Sequence, residues 1–245
     1  MNENATPPLK LYQELAAWWP LWSPPEDYLE EATFFAQVLK EAAPEVRTLV
    51  EFGSGGGSNA FHLKAHYTLT LVDISPEMLA VSRAINPDCE HLLGDMRSAR
   101  LGRQFDLVFI HDAIDYMTSD AELRQAFETA FLHCKPGGAA LFVPDHVRET
   151  FKATTDHDAR DGEDGRALRV LEWQYDPDPT DSTYLVHYAF LLREGDEVSF
   201  EHDTHLCGLF ARADWLQWLN EAGFQARSVI DQFGRDVFVA TKLMP

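Results

Sequence analysis

The stretch from Thr48 to Leu63 constrains the fold more than any other part of the chain. Thr48-Leu49-Val50-Glu51-Phe52 is apolar or β-favouring, Gly53-Ser54-Gly55-Gly56-Gly57 is a run of small residues, and the chain turns helical after Ser58. A buried strand, a glycine turn and a helix N-terminus in that order form a pocket for a nucleotide-like ligand. Glycines let the backbone come close to such a ligand, because no Cβ intervenes. Two templates compete for this loop. A dinucleotide site asks for G-x-G-x-x-G/A, and Ser58 stands where its last small residue belongs. An acidic strand end followed by G-x-G-x-G fits without a gap, as Glu51, Gly53, Gly55 and Gly57.

Beyond Leu63 the chain keeps alternating strand with helix. Thr68–Asp73 reads as a strand ending in a carboxylate, placed after Glu51 at about the 20-residue spacing at which an acidic side chain meets ribose hydroxyls. Its two oxygens suit two hydroxyl donors, since charge-assisted hydrogen bonds outweigh neutral ones. Ser75-Pro76-Glu77 opens a helix, with serine as cap and proline at the first helical position. A short strand then runs into Gly94-Asp95. Phe105–Ile110 is a continuous apolar run, the signature of a strand buried on both faces. Ser119-Asp120-Ala121-Glu122 is a capping box, and its helix puts Leu123, Phe127, Ala130, Phe131 and Cys134 on one side. Lys135-Pro136-Gly137-Gly138 stops that helix ahead of a strand at 139–143. Strand and helix in alternation predict right-handed crossovers and a parallel sheet.

Glu51-x-Gly53-x-Gly55-x-Gly57, Asp73, Gly94-Asp95, the 105–111 strand and Pro136-Gly137-Gly138 stand in register over about residues 45–145. In this the chain resembles the class I S-adenosylmethionine-dependent methyltransferases. Gly94-Asp95-Met96-Arg97 with Leu101-Gly102-Arg103-Gln104-Phe105-Asp106 further resembles the branch holding the amino-sugar N,N-dimethyltransferases. The resemblance implies an α/β, Rossmann-like, doubly wound and mostly parallel sheet, with S-adenosyl-L-methionine as cofactor. It implies cofactor contacts from Tyr12, Glu51, Gly53, Ser54, Gly55, Gly57, Asp73, Ile74, Met78, Asp95, Met96 and His111, with Asp95 toward the adenine amino group and Met96 against its ring.

His111, Asp112, Asp115 and Tyr116 come after the strand at 105–110, and strand ends at this edge of a parallel sheet face the ligand crevice. His111 and Tyr116 are the catalytic candidates. His111 either binds the methionine end of the cofactor or takes a proton from the acceptor, a step needed only if the acceptor arrives protonated. Asp115 and Tyr116 are suited to hold a cationic amine, and an amine nitrogen is favoured over oxygen or carbon. A non-catalytic scaffold that binds the cofactor is the alternative reading.

The flanks read differently. Residues 1–8 are a polar, proline-ended tail. Leu11, Leu15, Trp18 and Trp22 recur on one face of a helix that Pro20 bends, and Ser23-Pro24-Pro25-Glu26 reads as a capping box opening a second helix to about Ala43. Residues 1–44 are expected to cap the cofactor site. From 146 to 206 a solvated acidic loop (Asp156, Asp158, Asp161, Glu163, Asp164) precedes three β-patterned runs, Ala167–Tyr175, Ser182–Leu192 and Glu197–Leu206. These predict an inserted antiparallel β flap that covers the acceptor or makes a dimer, with His187, Asp203 and His205 as candidates to reach the acceptor. Residues 207–245 return to the core through a helix at 212–219 and strands at 225–233 and 236–241.

Composition removes other classes. A net charge of −20 disfavours a phosphate-tracking nucleic-acid surface and an anionic membrane surface, and favours cationic partners. Three distant cysteines form neither a disulfide framework nor a zinc pattern, and no signal peptide or membrane span is legible, so a cytoplasmic location is expected. The expected partner is a small-molecule acceptor, with no nucleic acid, membrane or metal, in a monomer or a homodimer through the flap.

Overall fold

The computed structural model describes residues 9–244; the tail read at 1–8 lies outside them. Lys10–Tyr12 and Ala16–Trp18 are single 3-10 turns, α1 spans Trp19–Trp22, Pro25–Tyr28 is again 3-10, and α2 runs Leu29–Ala42. Two expectations fail in this segment. Leu11, Leu15, Trp18 and Trp22 do not share one helix; the chain breaks into turns because its apolar side chains are claimed one by one by Leu168, Val170, Phe190 and Leu192 of the flap. Ser23 does not cap α2 either: its hydroxyl bonds the Tyr28 hydroxyl at 2.5 Å, and α2 has no side-chain cap.

The core continues as β1 (Thr48–Phe52), α3 (Ser58–Leu63), β2 (Thr68–Asp73), α4 (Pro76–Ile85), β3 (Glu90–Leu93), β4 (Phe105–Ile110), α5 (Asp120–His133) and β5 (Cys134–Phe142). The caps of α4 and α5 form as predicted, Ser75 accepting from the Met78 amide at 3.1 Å and Ser119 from the Glu122 amide at 3.3 Å. The 135–138 turn is absorbed into β5 as an irregularity opposite Phe105–Leu107. The flap is a separate antiparallel sheet of β6 (Thr154–Asp161), β7 (Arg166–Tyr175), β8 (Thr183–Glu194) and β9 (Glu197–Gly208), in that order. After it come α6 (Arg212–Glu221), β10 (Gln225–Ile230) and β11 (Asp236–Thr241).

The acidic segment read as a loop is thus largely the edge strand β6. Its side chains are mostly exposed, so no apolar alternation announces it, and only backbone pairing with β7 makes it a strand.

The main sheet has the order β3-β2-β1-β4-β5-β11-β10. Its first five strands are parallel; β11 is antiparallel to β5 and β10 to β11. Both faces are covered. Val50, Phe52, Val108 and Ile110 pack with α5 and α6 residues such as Phe127 and Trp215, while Leu49, Leu107 and Phe109 pack with Phe35, Leu39 and Leu63 of α2 and α3. Each such side chain contributes about 1.5–3 kcal/mol by leaving water. No helix among the described residues is long and apolar enough to cross a membrane.

Candidate active site

Strand order turns around at β1, with β2 on one side and β4 on the other, so the chain leaves the ends of β1 and β4 in opposite directions and a crevice opens there. The crevice holds a cavity of about 750 Å³, lined by the segments after β1, β2, β3 and β4 and by Tyr12, Trp19 and Tyr28 from the N-terminal segment. All thirteen cofactor and catalytic candidates read from the sequence border it.

The glycine loop fits this place for steric reasons. Gly53 has φ +69°, and a Cβ there would collide with the Cβ of Ala113. Gly55 has φ +51° and faces open space except for Met78. Its amide donates to Asp73 Oδ2 at 2.7 Å, and the Ser75 amide donates to Asp73 Oδ1 at 2.8 Å. Asp73 therefore ties the loop to the end of β2, a role its spacing from Glu51 does not announce. Burial raises its carboxyl pKa, and those amides partly offset the effect.

Glu51 is buried, and its Oε2 has no hydrogen-bond partner among the described residues; the Ser54 hydroxyl and the Trp19 indole N–H are likewise unpartnered. Burial pushes the Glu51 carboxyl up to about 8, although His111 pulls it down. Such orphaned groups at a cavity wall are a fit for a polar ligand, because a buried polar atom without a partner costs about 1–3 kcal/mol. Asp95 is less free. It accepts the Arg97 amide at 2.8 Å and the Arg97 guanidinium at 2.7–3.1 Å, and Arg97 passes on to Glu122 at 2.5 Å. Met78 and Met96 are buried walls, and Ile74 is an exposed rim.

His111 sits between Glu31, at 3.5 Å from Nε2, and Asp112, at 2.9 Å from Nδ1. Burial opposes its charge, but the two carboxylates outweigh burial and hold its pKa well above the ordinary histidine value. Its Nε2 also lies 3.5 Å from a guanidinium nitrogen of Arg235. Arg235, from the turn between β10 and β11, completes the group by bonding Glu31 at 2.8 Å and Asp231 at 2.8 Å.

A second pocket, of about 290 Å³, adjoins the first and lies under the flap. Tyr12, Trp19, Tyr28, Asp112 and Tyr116 border both. Four carboxylates line it, Asp112, Asp115, Asp145 and Glu172, among the rings of Trp22, Tyr184 and Tyr188, with no lysine or arginine in its wall. Asp115 Oδ2 accepts the Asp145 amide at 2.8 Å. Burial, then their mutual repulsion with Asp112, pushes Asp145 up to about 7 and Asp115 well above its ordinary value. A cation would relieve this crowding.

Of the flap candidates, Asp203 and His205 lie on the pocket side, whereas His187 stacks on Tyr175 and His202 on the opposite face. No metal-binding cluster occurs among the described residues. Sequence reasoning missed Trp19, Tyr28, Glu31, Asp145, Glu172 and Arg235. They converge from remote segments, and no spacing rule links them.

A family model described as "Methyltransferase domain" matches residues 49–138. The dTDP-3-amino-3,4,6-trideoxy-alpha-D-glucopyranose N,N-dimethyltransferase of Streptomyces venezuelae is 28% identical over 225 residues, 87% of this chain and 91% of that protein. The dTDP-3-amino-3,6-dideoxy-alpha-D-glucopyranose N,N-dimethyltransferase of Streptomyces fradiae is 28% identical over 203 residues, 81% of this chain and 78% of that one. Among solved structures, the sugar N-methyltransferase KedS8 from Streptoalloteichus matches with a TM-score of 0.82 at 26% identity, over 89% of each chain. Streptomyces venezuelae DesVI matches with a TM-score of 0.83 at 24% identity, over 93% of this chain and 96% of that one.

Proposed function

We propose that the chain is a class I S-adenosylmethionine-dependent methyltransferase that methylates the amine nitrogen of a small polar acceptor of the amino-sugar kind. When bound, the cofactor supplies a methyl group already activated on a sulfonium, so the protein has mainly to align and desolvate. In this reading the unpartnered Glu51 Oε2 accepts from the cofactor's ammonium, and His111 borders the same end of the cofactor. Asp73 offers the ribose hydroxyls the lone pairs that its two amide bonds leave free. Met78, Met96 and Ile74 form the apolar walls for the base, and Asp95 shares a lone pair with the adenine amino group while Arg97 holds it in place. Residues 9–44 act as the cap.

The observation that carries the acceptor class is the second pocket. It meets the cofactor cavity at Tyr12 and Tyr116 and presents four carboxylates among aromatic rings with no lysine or arginine in its wall. Carboxylates and aromatic faces both attract an ammonium group. A phosphate-bearing handle, if the acceptor has one, lies outside this pocket. Leu171, Trp173, Leu191, Val198 and Phe200, each at least half exposed on the opposite face of the flap, are the surface through which we propose two copies pair.

Calorimetry with S-adenosylhomocysteine and with NAD(H) tests the cofactor, and only the first is expected to bind. Labelled S-adenosylmethionine with dTDP-3-amino-3,6-dideoxy-alpha-D-glucopyranose and simple amino sugars tests the acceptor. Methyl groups found on oxygen or carbon, or cofactor binding without turnover on any amine, would refute the reading.

A further inference from the structure

The two histidines of the site are divided between its two cavities. His111 borders the cofactor cavity and not the acceptor pocket; His205 borders the acceptor pocket and not the cofactor cavity. His205 is buried at 1% exposure and stands in an unbroken hydrogen-bonded series. Tyr12 and Tyr116 hydroxyls lie 2.7 Å apart, Tyr116 Oη lies 2.8 Å from His205 Nδ1, and His205 Nε2 lies 3.1 Å from Asp203 Oδ2. The same Oδ2 accepts the Leu11 amide at 2.8 Å, and Oδ1 accepts the Thr204 amide at 3.0 Å.

This wiring is consistent with one direction for its protons, from Tyr12 toward His205. Burial opposes ionisation of Asp203, but His205 and the two amides outweigh it and hold the carboxyl below its usual range. An ionised carboxylate only accepts, so His205 Nε2 carries a hydrogen toward Asp203, and Nδ1 is the nitrogen left to accept from Tyr116. Tyr116 must then donate to Nδ1, and Tyr12 must donate to Tyr116. The Tyr12 oxygen keeps its lone pairs for a donor at the junction of the two cavities. Burial raises both phenols, so they hand protons on and do not rest as phenolates.

Resting on the amine acceptor of the proposed function, we infer that His205, held by Asp203, is the terminal proton acceptor of the reaction, reached from the acceptor nitrogen through Tyr12 and Tyr116. An ammonium N–H bond breaks and its electron pair stays on nitrogen. The Tyr12 oxygen takes that proton while its own passes to Tyr116, and the Tyr116 proton passes to Nδ1. One N–H bond of the ammonium is exchanged for one Nδ1–H bond, both phenols end neutral, and the positive charge moves to an imidazolium beside Asp203. The amine is then a nucleophile. His205 is a positioning and proton-storing residue; Tyr12 is the group that touches the acceptor.

The groups facing His205 are Asp203 on its own strand, Tyr188 on β8 at 4.9 Å between rings, Tyr12, Tyr116 and the Cys207 thiol, with the pocket carboxylates Asp112, Asp115, Asp145 and Glu172 beyond them. The carboxylates favour a cation, while Lys10, bonded to Glu201 on the same strand, is among the described residues the one cation acting on Asp203 from the N-terminal segment.

The test has two legs on the full chain. In nitrogen-15 spectra of histidine-labelled protein, assigned by comparison with His205→Gln, the neutral His205 ring is expected to carry its hydrogen on Nε2, and Asp203→Asn to disturb that preference. With dTDP-3-amino-3,6-dideoxy-alpha-D-glucopyranose as probe, His205→Gln is expected to lower kcat about 100-fold near neutral pH, with KM and S-adenosylhomocysteine affinity unchanged. Raising the pH above the pKa of the probe amine should return the variant to within a few-fold of the unsubstituted enzyme, because the amine then arrives without its proton. A hydrogen on Nδ1 in the neutral ring, or a kcat loss of the same size at low and high pH, overturns the inference. If no amine is turned over by the unsubstituted enzyme, the amine reading fails, and the proton-acceptor inference fails with it; the spectra then report the tautomer alone.

Discussion

Replacing Glu51 by Gln gives the sharpest test of the cofactor site, because its effect has a calculable pH dependence. The Glu51 carboxyl, buried with one oxygen unpartnered, is raised from 4.5 to about 8. Below pH 4.5 folded and unfolded chains both hold the proton, and the side chain confers no pH dependence. Between pH 4.5 and 8 the unfolded chain ionises while the folded one stays neutral, so stability is lost as pH rises and levels off above 8. A displacement of that size amounts to on the order of 4–5 kcal/mol, an upper figure since relaxation and water entry reduce it. Glutamine is neutral throughout and carries no such slope. Urea unfolding of both proteins between pH 5 and 9 should therefore show the variant gaining on the unsubstituted chain by several kcal/mol, and other titrating groups cancel in the difference. Saturating S-adenosylhomocysteine should remove most of the gap, because its ammonium pairs with the carboxylate. Its affinity for the unsubstituted chain should rise by up to tenfold per pH unit toward pH 8, while that of Glu51→Gln stays flat and weaker by about 1.5–3 kcal/mol near pH 8. A stability difference that does not change with pH would refute the reasoning, since the carboxyl would then be neither desolvated nor protonated in the fold.

Three further expectations concern other parts of the site. Asp73→Ala should weaken S-adenosylhomocysteine binding in calorimetry and also cost about 1–3 kcal/mol in thermal unfolding, because the Gly55 and Ser75 amides lose their acceptor. Gly53→Ala forces a side chain into a left-handed backbone against Ala113, and should cost about 1–3 kcal/mol of stability and at least tenfold in cofactor affinity; unchanged affinity would show that the loop is not packed as described. Phe200→Glu should shift sedimentation from dimer to monomer without altering cofactor affinity; an unsubstituted chain that sediments as a monomer would remove the pairing surface.

The parts of this molecule that the sequence determined by itself are those whose cause is local. A strand, a glycine loop and a helix arise from Thr48 to Leu63 because burial, a positive φ and capping are decided within a few residues of one another. The caps at Ser75 and Ser119, and the carboxylates Glu51, Asp73 and Asp95 at the ends of successive strands, arise in the same way. Where the cause was long-range the reading fell short. Strand β6 exists only because β7 pairs with its backbone, and the turns of residues 10–22 only because the flap competes for Leu11 and Leu15. His187 and His205 look alike in the chain, yet the register of β8 against β9 sets Val186 opposite His205 and His187 opposite Thr204, which sends one ring into the pocket and the other away from it. Glu31, Arg235, Asp145 and Glu172 meet the site from segments far apart, so only the tertiary structure decided that His111 stands between carboxylates and that the pocket under the flap is acidic. Charges act through space over a few ångströms, and distance in space is what a sequence does not carry.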